Sequence, residues 1–441
     1  MKFEFKPIGN FFRLQKGLGY LGKHLSDSTT GLVGLNSFLP GGGYKYGGEK
    51  PYSGPYKPEH EALPGDLFIA TTDITQDGRV LASPFLLPDK VANFEKMIFS
   101  GDIVKAVQIN EGLLPEFLFN ILRVQKFRIQ AAYASTGTTV RRIPSDFVES
   151  ISIPVPPVAL QRVINSCLRS VDQKIHMNVQ LSKTLEDIAQ TIFKSWFIDF
   201  DPVKAKMAGE NPVGMDAATA ALFPEAVEDL ELGLIPKGWS WGAIGDIADV
   251  IDCLHSKKPE LLEVGLPYLQ LDTISDNGVL KFDKAGKISG ADYDKWTARI
   301  EVAGGDCLIT NVGRVGAVSQ VPNHFKSAIG RNITAMRPKR SNLHQTFLLA
   351  ALTSDFMARE ITRSTDSGTI LEALNVRSIP KLPIPMPSDE LLAAFETVAG
   401  PMWLQIHELY RQSVMSANLR DSLLPRLTSG ELQIPEEMLV S

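Results

Sequence analysis

The stretch GLGYLGKH, residues 17–24, is the part of this 441-residue chain whose residue types come nearest to a chemical task. Gly17, Gly19 and Gly22 match G-x-G-x-x-G. The stretch is also one residue short of a P-loop, with His24 where a Ser or Thr would hold magnesium. Either reading needs a buried strand before the glycines and a helix after them, so that backbone N–H groups converge on a phosphate. FFRLQK precedes it, too short and too basic for a central parallel strand, and LSDSTTG follows it, which is turn chemistry. We therefore read a glycine-rich surface loop carrying Lys16, Tyr20, Lys23 and His24.

Other catalytic patterns do not occur. The sequence has no His-Glu-x-x-His, Gly-x-Ser-x-Gly or Cys-x-x-Cys. It also lacks the Asp/Asn-Pro-Pro-aromatic tetrapeptide with which adenine methyltransferases grip a flipped base. Cys167, Cys253 and Cys307 are far apart and odd in number, which predicts neither disulfides nor zinc. His176 and His407 both sit beside an apolar helical stripe, the place of a structural histidine. No apolar run approaches the ~18 residues of a membrane span, and MKFEFKPIGN has no signal-peptide core, so we expect a cytoplasmic protein.

The net charge of −5 hides an uneven distribution. Residues 1–156 hold 17 Lys+Arg against 15 Asp+Glu, and residues 236–387 hold 18 against 16. Residues 201–235 hold 2 against 7, and residues 388–441 hold 3 against 8. Two mildly basic segments thus alternate with two acidic ones, which permits nucleic-acid binding by two modules.

The elements that position these segments repeat. GTTVRRIPSDFVESISIPVP (137–156) and GTILEALNVRSIPKLPIPMP (368–387) share Gly, Thr, Ile, Pro and Pro at a constant offset of 231, as from Pro154 to Pro385. After the first copy, Ile164, Leu168, Val171, Ile175, Leu185, Ile188 and Ile192 mark a long amphipathic helix, and the same offset gives a second stripe from Phe395 to Leu423. Related by a pseudo-two-fold, the two helices are expected to pair antiparallel. Gly400-Pro401 should kink the second helix or delay its start. Before each helix, strand-like runs such as GDLFIATTDI (65–74) and GDCLITNVG (305–313) precede a helical segment. The expected class is α+β, with two mixed α/β domains separated by two long paired helices. The boundaries are 1–156 and 236–387 for the domains, 157–200 and 388–441 for the helices, and 201–235 for an acidic, Pro-containing linker.

The first helix ends in four aromatics, Phe193, Trp196, Phe197 and Phe200, at i, i+3, i+4 and i+7 on one face. The offset places Leu424, Leu427, Thr428 and Glu431 opposite them, so a symmetric helix pair does not require the aromatics. Two readings stand: a docking surface for another protein, which we favour, or burial under 201–235 with its Met215, Leu222 and Phe223.

Two modules, two long helices and no catalytic pattern resemble the specificity subunit of type I restriction-modification systems. The resemblance spans nearly the whole chain. It is most specific in TLEDIAQTIFKSWFIDFDPVKAKMAGENPVGMDAATAALFP (184–224) and ELGLIPKGW (231–239); NLRDSLLPRLTSGEL (418–432) looks like the family's distal end, and IPVPPVALQRV (153–163) is close to its Pro-Pro, acidic, Gln-Arg pattern, with Val158-Ala159 lacking the acidic residue. It implies a non-catalytic subunit in which two target recognition domains each read half of a split site on double-stranded DNA. The helices would set the spacer. Leu160 to Lys194 as a helix spans ~52 Å at 1.5 Å per residue, more than the ~34 Å of one DNA turn. Adenine N6 methylation and ATP-dependent cleavage would belong to separate modification and restriction subunits. Those subunits would use S-adenosylmethionine, ATP and Mg, and this chain would bind no cofactor. The aromatic face would then receive a modification subunit. A coiled-coil adaptor that binds only protein is the alternative.

Base edges and phosphates call for Arg, Lys, Asn, Gln and hydroxyl groups. In the first module the DNA-binding candidates are Lys16, Tyr20, Lys23, Tyr44, Lys45, Tyr46 and Arg79; PGGGYKYGG (40–48) interleaves aromatics and Lys with glycines. In the second they are His255, Ser256, Lys257, Lys258, Gln270, Asn311, Arg314 and Arg331.

Overall fold

The computed structural model describes residues 3–73, 80–91, 93–137, 140–230, 233–366 and 372–432. The chain divides into two units, Met1–Ile175 with Met415–Ser441, and His176–Val414.

The first unit is built on two four-stranded sheets. One has the order Phe12–Lys16, Ile103–Gln108, Leu67–Ala70, Pro84–Leu86, antiparallel throughout. Leu67–Ala70 is buried at every position, as an interior strand covered on both faces must be. Phe12–Lys16 lies at the edge, where Arg13 and Lys16 reach solvent and discourage further pairing. The other sheet has the order Lys50–Pro51, Thr30–Val33, Lys96–Phe99, Glu61–Ala62, with its central pair parallel. The helix Pro115–Leu122 starts on a proline, whose missing N–H costs nothing in the first turn, and it buries Phe117, Leu118 and Ile121 against Phe12 and Ile69. The strand Glu4–Pro7 pairs with Ser152–Val155, which leads into the first long helix, Val158–Phe197.

The second unit repeats this plan. Its main sheet runs Ala248–Asp252, Ile333–Pro338, Cys307–Thr310, Val318–Gln320, Gly278–Val279. Leu266–Leu269 pairs in parallel with Ala328–Ile329. The helices Ser341–Leu352 and Asp355–Arg363 follow. Ser240–Ala243 pairs with Pro383–Met386, which leads into the second long helix, Asp389–Ser429. The offset read from the sequence is kept at both equivalent starts: 383 − 152 = 231 for the strands and 389 − 158 = 231 for the helices.

Within the second unit the long helices run antiparallel. Asn178 Nδ2 donates to the Leu409 carbonyl at 3.4 Å, while the Phe193 ring lies 6.0 Å from Phe395, so one chain advances as the other returns. Within the first unit, Asp172 accepts from Arg123 at 2.6 Å and from Arg420, on the second helix, at 2.8 Å. Burial alone would raise the Asp172 carboxyl, but the two guanidinium groups hold it below the usual carboxylate range.

One expectation is corrected here, the delayed start of the second helix. Gly400-Pro401 does not delay the second helix, which starts at Asp389 and continues through both residues. Gly400 has no Cβ to meet the proline ring, and an added one would stand 3.1 Å from Glu396 Oε1. The acidic stretch 201–235 carries secondary structure of its own. It holds the helices Asp201–Met207 and Ala217–Ala221, the latter capped by Asp216, and its end pairs as the hairpin Val227–Leu230 with Gly233–Pro236.

Candidate nucleic-acid interface

Phe193, Trp196 and Phe197 lie on the first long helix and Phe200 just beyond its end, and all four belong to the core of the second unit. Phe193 is 1%, Trp196 5%, Phe197 0% and Phe200 7% exposed. Trp196 meets Phe223 edge-on at 5.3 Å, as the burial reading required. Three further aromatics complete the cluster: Phe197 lies 5.0 Å from Phe347 and 5.2 Å from Phe395, and Phe200 lies 5.8 Å from Trp239. The expectation of a docking face is therefore corrected: these rings are covered by their own chain. Gln190, on the same helix, donates to Thr353 Oγ1 at 2.5 Å, tying the helix to the domain behind it.

The glycine-rich loop is not shaped as a phosphate cradle. Gly17 follows the edge strand, and a Cβ there would stand 2.3 Å from the Ser100 carbonyl oxygen, so this glycine serves close packing of two backbones. Gly22–His24 forms a single 3-10 turn. Lys16 and Lys23 are exposed and Tyr20 half-buried, its ring 6.4 Å from Tyr52.

The other candidates of the first unit differ among themselves. Tyr44 packs on Phe85 at 5.2 Å and donates to Glu49 Oε2 at 3.0 Å, so it is held in the structure rather than offered to a ligand. Burial, with Glu49 beside it, pushes the Tyr44 phenol well up. Lys45 and Tyr46 are exposed. Arg79 lies outside the described residues.

In the second unit Asn311 is 3% exposed, and its Nδ2 donates to Thr334 Oγ1 at 2.8 Å. Arg314 is paired with Asp276 and donates to the Ile274 carbonyl at 2.9 Å. Asn311 is thus held within the fold, while Arg314 is exposed. His255, Lys257, Lys258 and Arg331 are exposed, Ser256 and Gln270 half-buried. His255 Nε2 lies 2.7 Å from Asp252 Oδ2. Asp252, Cys253 and His255 bring possible metal-ligating atoms within 4.8 Å of one another. Arg299 already stands 3.8 Å from that carboxylate, and burial raises the Cys253 thiol, so a cation would have to work against both.

The first unit also holds two clefts, of about 290 and 310 Å³, that share Thr72, Asp102 and Arg142. Tyr20, Asn36 and Lys50 line one, and Lys16 the other. Two sequence candidates, Lys16 and Tyr20, thus each share a cleft with Arg142, a cation that the sequence reading passed over. Arg142 lies within the segment 137–156, and the adjacent basic pair Arg141-Arg142 was the signal available for it.

His407 is 9% exposed, and its Nε2 has no hydrogen-bond partner. Burial, with His324 nearby, pushes its imidazole down to about 4. The folded state therefore favours the neutral ring. Stability is full above the ordinary histidine value and is lost as the pH falls from about 6.5 towards 4, because the unfolded chain then binds a proton that the folded chain refuses. Between pH 7 and pH 5 this should cost roughly 2 kcal/mol. Glu186 and Glu396, both raised chiefly by burial, act in the opposite sense, so the comparison is between wild type and His407→Leu. Urea unfolding at the two pH values should show a smaller loss in the variant; equal losses would contradict the buried neutral ring.

Residues 64–187 match the model of a type I restriction modification DNA specificity domain. The chain is 27% identical over 420 residues to the type I restriction enzyme HindI specificity subunit of Haemophilus influenzae, covering 84% of this chain and 85% of that protein. It is 25% identical over 334 residues to the MjaIX specificity subunit of Methanocaldococcus jannaschii, covering 74% and 71%. Its fold matches the crystal structure of a type I restriction-modification S subunit from M. genitalium, with a TM-score of 0.54 at 14% identity over 98% and 97% of the two chains. No helix among the described residues is long and apolar enough to cross a membrane.

Proposed function

We propose that this chain, a member of the specificity-subunit family of type I restriction-modification systems, is the non-catalytic subunit that selects the DNA site. Each unit reads one half of a split target on double-stranded DNA. The two long helices set the spacer. Modification and restriction subunits supply the chemistry, adenine N6 methylation or ATP-dependent cleavage, and hold the S-adenosylmethionine, ATP and Mg it needs, in the cytoplasm.

The observation that carries this reading is the duplication itself. Two units of similar plan each feed a 40- or 41-residue helix through an equivalent strand, an arrangement suited to two separate readings and not to one active site. With the aromatic stripe buried, a modification subunit needs another surface. Met177, Leu181 and Ile188 are 66%, 47% and 42% exposed and fall on one face of the first long helix, where a partner helix would cover them.

The test is methylation sequencing of DNA from a host expressing this chain with its modification subunit. A two-part motif carrying N6-methyladenine is expected. Methylation without a shared motif would overturn the reading. Association with the modification subunit, but with no salt-sensitive preference for any DNA sequence, would favour the protein-only adaptor.

A further inference from the structure

The two clefts of the first unit meet at one side chain. Arg142 lines both of them, beside Thr72 and Asp102. Its backbone is fixed from two sides. It pairs with Thr72 in a short ladder, and it exchanges two hydrogen bonds of 2.9 Å with Thr136. Its guanidinium is exposed and makes no ion pair or hydrogen bond among the described residues. A planar fork of donors is thus presented from a rigid rung into a polar recess, the placement a reading residue needs.

The composition of the recess separates two roles for such an arginine. A phosphate track wants donors and cations only. Here Asp102 lines both clefts with Arg142, alongside Lys50 in one and Lys16 in the other, and the half-buried carboxylate would repel a phosphate. A base edge presents acceptors and donors together, so a mixed lining fits it. The hydroxyl of Ser100, buried and without a partner, adds a further polar group to the wall.

The repeat places a corresponding corner in the second unit. Leu32 and Val33 pair with Ile98 and Phe99 as Tyr268 and Leu269 pair with Ala328 and Ile329. Continuing each strand by the same count, Gly34 corresponds to Gln270, Ser100 to Gly330, and Gly101 to Arg331. At the remaining strand, 142 + 231 = 373, and the residue there is Ala373. The two corners therefore carry their arginine on different segments: Arg142 on a short strand in the first unit, Arg331 in the turn after Ala328–Ile329 in the second. Equivalent scaffolds with displaced donors would read different bases from the same pose.

We propose that Arg142, held between the two clefts beside Asp102, reads a guanine in the half-site of the first unit, and that Arg331 is its counterpart at the corresponding corner of the second. This rests on the function proposed above. Arginine donates to guanine O6 and N7 as a bidentate pair, the commonest specific base contact in the major groove.

The test uses the whole chain in complex with its modification subunit, first as wild type, whose two-part motif must appear. Its absence would count against the proposed function and not specifically against Arg142. In Arg142→Ala, methylation should lose its preference at one position of one half-site, with affinity for the parent motif falling about 10- to 100-fold. The other half-site should be unchanged. Arg331→Ala should do the converse. Arg142→Lys keeps the charge but not the fork, so it should fail to restore the preference. Recovery of the parent motif in Arg142→Lys would mean a phosphate contact and overturn the proposal. So would uniform weakening across all sequences in Arg142→Ala, or an unchanged motif. Circular dichroism of each variant checks folding. Should Arg142→Ala fail to fold, Arg142→Lys and Arg331→Ala still decide the matter by the same readout.

Discussion

Replacing Trp196 and Phe197 together with alanine should unfold the second unit, with loss of partner binding only as a consequence. Both rings are at most 5% exposed, and between them they touch Phe223, Trp239, Phe347 and Phe395. Truncating a buried Phe or Trp costs about 3–5 kcal/mol, because the transfer energy is lost and a cavity remains. The two rings touch each other, with centroids 6.1 Å apart, so the losses will not add fully. A total near 6 kcal/mol would still consume most of the stability of a typical domain, roughly 5–15 kcal/mol. Urea unfolding and limited proteolysis should show an early transition in the double variant. Wild-type stability with partner binding selectively abolished would restore the docking reading and sink the packing described here.

The same stripe shows what the sequence could and could not say. Spacing at i, i+3, i+4 and i+7 identifies a face, because the helical period is local. What covers that face is not local. Phe223, Trp239, Phe347 and Phe395 come from three later parts of the chain, and only the first lies in the stretch suspected from sequence. The placing of Tyr44 and Asn311 is non-local for a related reason: their residue types suit recognition, but packing against Phe85 and a hydrogen bond to Thr334 are settled by distant strands. Gly17 was legible as a surface loop residue, yet its reason for being glycine is the backbone at Ser100, 83 positions away (100 − 17). The repeat was the reverse case. Its offset of 231 was visible without a gap and fixes the strand entering each long helix and the helix start to the residue. A duplication constrains two distant pieces at once, which no periodicity within one element can do. Gly400-Pro401 misled because local propensity was weighed without the glycine's missing Cβ, and tertiary packing carries the helix through.

Exchanging residues 236–387 for the equivalent module of a relative should change one half of the methylated motif and leave the other half and the spacer as they were. The physical basis is that the hydrophobic cores are separate: the clusters centred on Phe12 and Phe117 in the first unit and on Phe197 and Phe347 in the second share no residue. Changes without shared partners usually contribute independently. The exchange does cut through the second core, however. Trp239, Phe347 and Ile384 leave with the old module, while Phe193, Trp196, Phe197 and Phe395 stay on the retained helices. A donor module must therefore bring apolar residues of similar volume at those three positions, since core swaps that conserve volume cost under ~1.5 kcal/mol and mismatched ones several times that. It must also offer an acceptor where Thr353 meets Gln190. A hybrid meeting these conditions keeps both long helices, and with them the spacer. Methylation sequencing in a host carrying the hybrid and its modification subunit reads all three quantities at once. A well-folded hybrid that alters both half-sites, or lengthens the spacer, would mean that the two units read DNA jointly, and the model of two independent readers joined by a fixed helix pair would have to be abandoned.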